Sequence, residues 1–75
     1  MPPTFTVEEI ADIFTYHAPT PEQIPKYETL RSAARMFAEV LVDNVPPSAD
    51  RTAALRHLRE CVMTANAAIA LNGKY

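Results

Sequence analysis

Apolar residues recur along this chain at the spacing of helices. Tyr27, Leu30, Ala34, Phe37 and Leu41 advance by threes and fours, which places them on one helix face. Leu55, Leu58, Val62, Ala65 and Ile69 repeat that advance. A shorter set, Ile10, Ile13 and Phe14, gives a third, small amphipathic segment. The spacing predicts three helices, over residues 7–16, 21–43 and 49–71.

Capping signals support these bounds. Thr6 followed by Glu9 reads as a capping box at the first helix. Thr20 can cap the second, with Pro21 at its first position and Gln23 closing a box. Pro25 then falls in the first turns, where its missing N–H is expected to distort them. Ser48 is the expected cap of the third helix, with Asp50 in the positive first turn. Asn72-Gly73 suits the end of that helix. Seven prolines cluster at Pro2-Pro3, Pro19-Pro21-Pro25 and Pro46-Pro47 and divide the chain into these three segments. Gly73 is the single glycine, so hairpin turns and glycine-rich nucleotide cradles are not expected. The predicted fold is all-α and one domain over residues 1–75. A short N-terminal helix is followed by a long antiparallel helical hairpin, because a short connection makes successive helices antiparallel neighbours.

Such a hairpin cannot bury all the apolar surface it carries. Ala54, Cys61 and Ala68 form a second set on the third helix, and Met63, Ala67 and Ala70 lie on another side. The C-terminal half of that helix is apolar nearly all round, and its small residues would let another helix approach closely. Homo-oligomerisation through this surface is expected, the alternative being that the first helix folds back over it. Size points the same way: 75 residues form a marginal core. Cys61 is the single cysteine, so no internal disulfide compensates, and one Cys with two His offers no zinc set.

The N-terminus does not read as a signal peptide, because Met1-Pro2-Pro3 carries no base and Glu8, Glu9 and Asp12 interrupt the apolar run. The stretch Cys61–Leu71 is far shorter than the roughly 20 residues of a membrane span. A soluble, cytoplasmic protein is expected, with no membrane partner.

Net charge is −2 but unevenly spread. Residues 1–30 carry five acids and one base, Lys26; residues 31–75 carry six bases and four acids. Five of those six bases are arginines, the side chain suited to bidentate phosphate capture and base stacking. The acidic N-terminal third and the lack of a basic recognition helix argue against DNA binding. The Pro-bounded loop Tyr16-His17-Ala18-Pro19, with Arg31 about two turns into the next helix, is the best-placed aromatic and cationic set. No catalytic constellation is evident. His17 and His57 lack triad-like partners, Cys61 has no adjacent base, and no carboxylates pair at a suggestive spacing. The chain reads as a binding protein rather than an enzyme, with no cofactor and no metal.

Tyr16-His17-Ala18-Pro19-Thr20-Pro21-Glu22-Gln23-Ile24, with Leu30-Arg31 downstream, resembles the hairpin domain shared by phage anti-CBASS and anti-Thoeris signal sponges. Pro46-Pro47-Ser48-Ala49-Asp50-Arg51 and the helix end from Val62 to Ala70 are similar to that family as well. The resemblance covers roughly residues 16–71. It departs from the family pattern in having Arg at 31 rather than Lys, Ala67 where some members carry a base, and Pro25. It implies a homohexamer in the cytoplasm of an infected bacterial host that sequesters cyclic oligonucleotide second messengers, cGAMP among them, without cleaving them. It implies that Tyr16 stacks on a base with His17 beside it, and that Arg31 and Lys26 meet phosphates. Arg59, Met63 and Asn66 share one helix face and would line a second site, for a cyclic trinucleotide, where copies of the third helix converge. The competing readings are a sponge for cyclic ADP-ribose signals of Thoeris, and a helical module that binds another protein through the 61–71 face.

Overall fold

The computed structural model describes residues 4–75; the Met1-Pro2-Pro3 segment in the signal-peptide argument lies outside the described residues. Three helices follow in order: α1 (Val7–Ile13), α2 (Ile24–Asn44) and α3 (Ala49–Ala70). No strand occurs among the described residues. α2 and α3 pack as an antiparallel hairpin, and α1 lies off it rather than folding back over α3.

α1 ends at Ile13, three residues short of the predicted Tyr16. Its start is as expected: Thr6 Oγ1 accepts the Glu9 N–H and Glu9 Oε1 accepts the Thr6 N–H. Competition for carbonyls stops it. The Thr15 hydroxyl takes the Ala11 carbonyl, and the His17 ring takes the Asp12 carbonyl at 2.7 Å. That second carbonyl is the one a continuing helix would offer to the Tyr16 N–H.

α2 begins at Ile24, not Pro21. Pro25 has no N–H for the Pro21 carbonyl, so a helix cannot run unbroken from residue 21. Residues 21–23 instead form a separate turn, and Pro25 is the second helical residue, where N–H groups have no helical partner anyway. The distortion expected at Pro25 is thereby avoided. Thr20 does not cap with its side chain; its backbone N–H donates to Gln23 Oε1 at 3.0 Å, which is half of the expected box. The helix runs to Asn44, one residue past the predicted end, where the Asn44 amide holds the Val40 carbonyl. Val45 is extended because Pro46 follows it.

Residues 45–48 turn the chain. Ser48 caps α3 by accepting the Arg51 N–H, and the Arg51 guanidinium reaches back to the Val45 carbonyl at 3.3 Å. α3 stops at Ala70, one residue before the predicted Leu71. The Gly73 N–H returns to the Ala68 carbonyl and the Asn72 N–H to the Ile69 carbonyl, a Schellman closure. Asn72 at φ 54 supplies the left-handed residue that closure needs, and Gly73 at φ 70 continues in the same region.

The seam is made by half-buried Leu30, Ala34, Ala38 and Leu41 on α2 against Leu55, Leu58, Val62 and Ile69 on α3. Ala38 occupies the place predicted for Phe37. The small side chain faces the partner helix, while Phe37 is turned out and 53% exposed. It joins Ala33, Met36 and Val40 in an exposed apolar stripe on the far side of α2. No side chain among the described residues is fully buried.

Candidate functional site

Asp12, at the end of α1, gathers three partners. Tyr75 Oη donates to its Oδ2 at 3.0 Å, Lys74 Nζ lies 3.7 Å from the same oxygen, and His17 Nε2 lies 3.6 Å from Oδ1. The His17 Nε2 bond to the Asp12 carbonyl fixes the tautomer, since a carbonyl only accepts. The Tyr75 ring also packs on Phe5 at 6.2 Å between centroids. Partial desolvation of the Tyr75 ring, the hydrogen bond to Asp12, and the charges of Asp12 and Glu9 all raise the phenol above its ordinary value of 10.0. This clasp ties α1 and the start of the 14–23 loop to the segment that follows α3.

The other end of that loop is held separately. Gln23 Nε2 donates to the Ile69 carbonyl at 2.9 Å and lies 3.5 Å from Asn72 Oδ1. Between the two anchors Tyr16 stands free of intramolecular cover, 83% exposed. Lys26 borders a shallow polar depression with Gln23 and Asn72.

Arg31 lies elsewhere. With Arg35 and Arg59 it rims a groove of about 590 Å³ between α2 and α3, floored by Ala34, Ala38, Leu58, Val62 and Met63. The four residues predicted to meet one ligand, Tyr16, His17, Lys26 and Arg31, are therefore not gathered within one chain. Tyr16 and His17 sit in the loop, Lys26 near the end of α3, and Arg31 in the groove. The reason is connectivity: α1 and its loop are anchored at the open end of the hairpin, and the groove runs along its middle.

The second predicted set is divided as well. Arg59 and Met63 line the groove, sharing it with Arg31; Asn66 does not. Asn66 Oδ1 is shielded from solvent without a hydrogen-bond partner. Arg31 and Arg59 form no ion pair among the described residues, whereas Arg35 meets Glu39 at 3.4 Å on an exposed face, a pair of little energetic weight. The sequence reading missed Arg35. Its signal was its position four residues after Arg31 on the same face. It also missed the Asp12–Tyr75 clasp, which no local pattern announces. Among the described residues, no three His, Cys, Asp or Glu side chains gather as a metal set, and no helix is long and apolar enough to cross a membrane.

The Acb2/Tad1 hairpin domain matches residues 7–70. The chain belongs to that family. It is the family of anti-CBASS and anti-Thoeris sponges to which residues 16–71 bear resemblance, and the match extends through α1 as well. No curated protein and no solved structure matches the chain. As a hairpin-sponge domain, the Acb2/Tad1 unit is a binding module rather than a known enzyme.

Proposed function

We propose that this protein is a phage anti-defence sponge that binds cyclic oligonucleotide messengers in an infected bacterial cell and withholds them from CBASS effectors without breaking a bond. Membership of the Acb2/Tad1 hairpin family over residues 7–70 carries the reading. The arginine-rimmed groove supports it. A cyclic dinucleotide is a compact dianion with two flat bases, so it needs cations and stacking surfaces. Arg31 and Arg59 offer guanidinium groups that form no ion pair among the described residues, over an apolar floor, and Tyr16 offers an exposed ring. Stacking and charge-assisted hydrogen bonds of about 1–3 kcal/mol each accumulate to tight binding.

The proposed ligand set is Tyr16, His17, Lys26 and Arg31, contributed by more than one chain, with Arg59, Met63 and Asn66 as the set for a cyclic trinucleotide. Self-association is part of the proposal, with a hexamer as the expected assembly. The chain exposes 6160 Å², whereas a compact monomer of its mass exposes roughly 4,600 Å². The difference is about twice the ~800 Å² that each partner contributes to a standard interface. The radius of gyration, 15.8 Å, likewise exceeds the roughly 11 Å of a compact chain of this length.

The test is incubation of the purified protein with a panel of cyclic di- and trinucleotides, including cyclic GMP-AMP, and cyclic ADP-ribose isomers, followed by heat release and mass spectrometry. Intact cyclic di- or trinucleotide recovered from the denatured protein supports the reading. Recovery of a cyclic ADP-ribose isomer alone would move the protein to Thoeris signals, a linearised product would mean an enzyme, and no retention would remove the sponge reading.

A further inference from the structure

We propose that Tyr75, acting through Asp12, is a positioning residue for the Tyr16 loop. The Tyr75 ring packs on Phe5, just ahead of α1, with centroids 6.2 Å apart, while its hydroxyl donates to Asp12 Oδ2 in the last turn at 3.0 Å. One side chain thus grips both ends of a seven-residue helix. A helix that short is not stable alone, and it packs on neither α2 nor α3. The grip ties it to the hairpin where helix-on-helix packing does not.

Asp12 passes the constraint on. Its Oδ1 lies 3.6 Å from His17 Nε2. Its main-chain carbonyl accepts from that nitrogen at 2.7 Å and from the Thr15 N–H at 3.3 Å. Thr15 and His17 are the two chain neighbours of Tyr16, so both flanks of the exposed ring are bonded to the residue that Tyr75 holds. Lys74 Nζ, 3.7 Å from Oδ2, balances the carboxylate from the Tyr75 side. The end of α3 aims this segment. With Asn72 and Gly73 left-handed and the Lys74 N–H on the Leu71 carbonyl at 3.2 Å, the chain turns out of α3 and returns to α1.

Asp12, Lys74 and Tyr75 line neither the α2–α3 groove nor the depression at Lys26. Phe5, Lys74 and Tyr75 flank the matched residues 7–70 rather than belong to them. Their effect on a ligand is therefore indirect. It acts through the fraction of molecules whose Tyr16 stands ready, and apparent affinity scales with that fraction. This consequence rests on the sequestration reading. The positioning does not, and it is tested without nucleotide.

The first experiment digests the full-length chain with chymotrypsin and follows the cut after Tyr16 by mass spectrometry, since cleavage tracks the population of the open loop. Tyr75→Phe keeps the ring and removes only the hydroxyl. It is expected to speed that cut about three- to tenfold, with the cut after Phe37 and the urea midpoint unchanged. In an Asp12→Ala background the same substitution is expected to add nothing, because the two residues act as one unit. An unchanged Tyr16 cut, a full added effect in the Asp12→Ala background, or equal acceleration at Phe37 overturns the proposal. The second experiment measures the kinetics of cyclic GMP-AMP binding. Tyr75→Phe should slow association by the same factor and leave dissociation unchanged, because the bound ligand then holds the loop. Faster dissociation with unchanged association would make Tyr75 a ligand contact and overturn the positioning role. A chain that shows the expected digestion pattern but binds no cyclic nucleotide would leave the positioning standing and remove only the sponge reading.

Discussion

Tyr75 reaches across sixty-three positions of sequence to donate its phenolic hydrogen to Asp12. The bond joins the segment after α3 to the end of α1, and the same carboxylate is approached by Lys74 and His17. It is the contact that holds the α1 end of the Tyr16 loop against the segment after α3.

The raised Tyr75 phenol gives a titration test. The folded chain holds this proton more tightly than the unfolded chain, so the group's stabilising contribution is complete below the ordinary value of 10.0 and is lost as pH rises through the higher folded value. Ultraviolet titration should show a tyrosine phase, that of Tyr75, above the ordinary value of 10.0. In Asp12→Asn that phase should move back toward the ordinary value, because the hydrogen bond to the carboxylate and its charge are lost; a phase unchanged by the substitution would mean the clasp does not form.

Ligand affinity should depend on both separated elements. Tyr16→Ala is expected to cost about 1–3 kcal/mol, or one to two decades in Kd for a cyclic dinucleotide. Arg31→Ala should cost a similar amount and flatten the dependence of affinity on salt. Calorimetry at two ionic strengths separates these effects, and unchanged affinity in both variants would exclude Tyr16 and Arg31 from the site.

Asn66 offers a stability test. Its shielded, unpartnered oxygen carries a desolvation cost of about 1–3 kcal/mol that an apolar side chain of similar size avoids. Asn66→Leu is therefore expected to raise resistance to urea at fixed protomer concentration. A loss of stability would show that Asn66 has a polar partner in the assembled protein.

Ser48 should matter more than its exposure suggests. Its hydroxyl caps α3 through the Arg51 N–H, and Ser48→Ala is expected to cost about 1 kcal/mol. Thr6→Ala removes the equivalent bond at α1. It should lower the protection of α1 amides in hydrogen exchange and leave α2 and α3 unchanged, since α1 is not packed on either of them.

The fold was legible in the sequence where interactions are local. Helical spacing, the Thr6–Glu9 box, the Ser48 cap and the proline breaks each act within a few residues, and they settle the existence and order of three helices. Competition among local groups was harder to read. The truncation of α1 depends on His17 and Thr15 taking carbonyls ahead of backbone N–H groups, and the late start of α2 depends on where Pro25 would have needed a hydrogen. The choice of Ala38 over Phe37 at the seam is a tertiary matter. Both positions satisfy the helical period, and the close approach of α3 selects the smaller side chain.

The candidate residues followed the same division. Sequence determined that an aromatic loop and a set of arginines exist and that the leading helix is acidic and apolar on one face, because composition and periodicity are properties of the chain. Only the tertiary structure decided that Arg31, Arg35 and Arg59 share one groove and that Tyr16 stands outside it. Those relations depend on how α2 and α3 align across their seam. They depend too on the Asp12–Tyr75 bond and the Gln23–Ile69 bond that anchor the loop at the far end of the hairpin. Contacts spanning forty-six and sixty-three residues have no signature in local spacing; they form only once packing has brought the ends of the chain together.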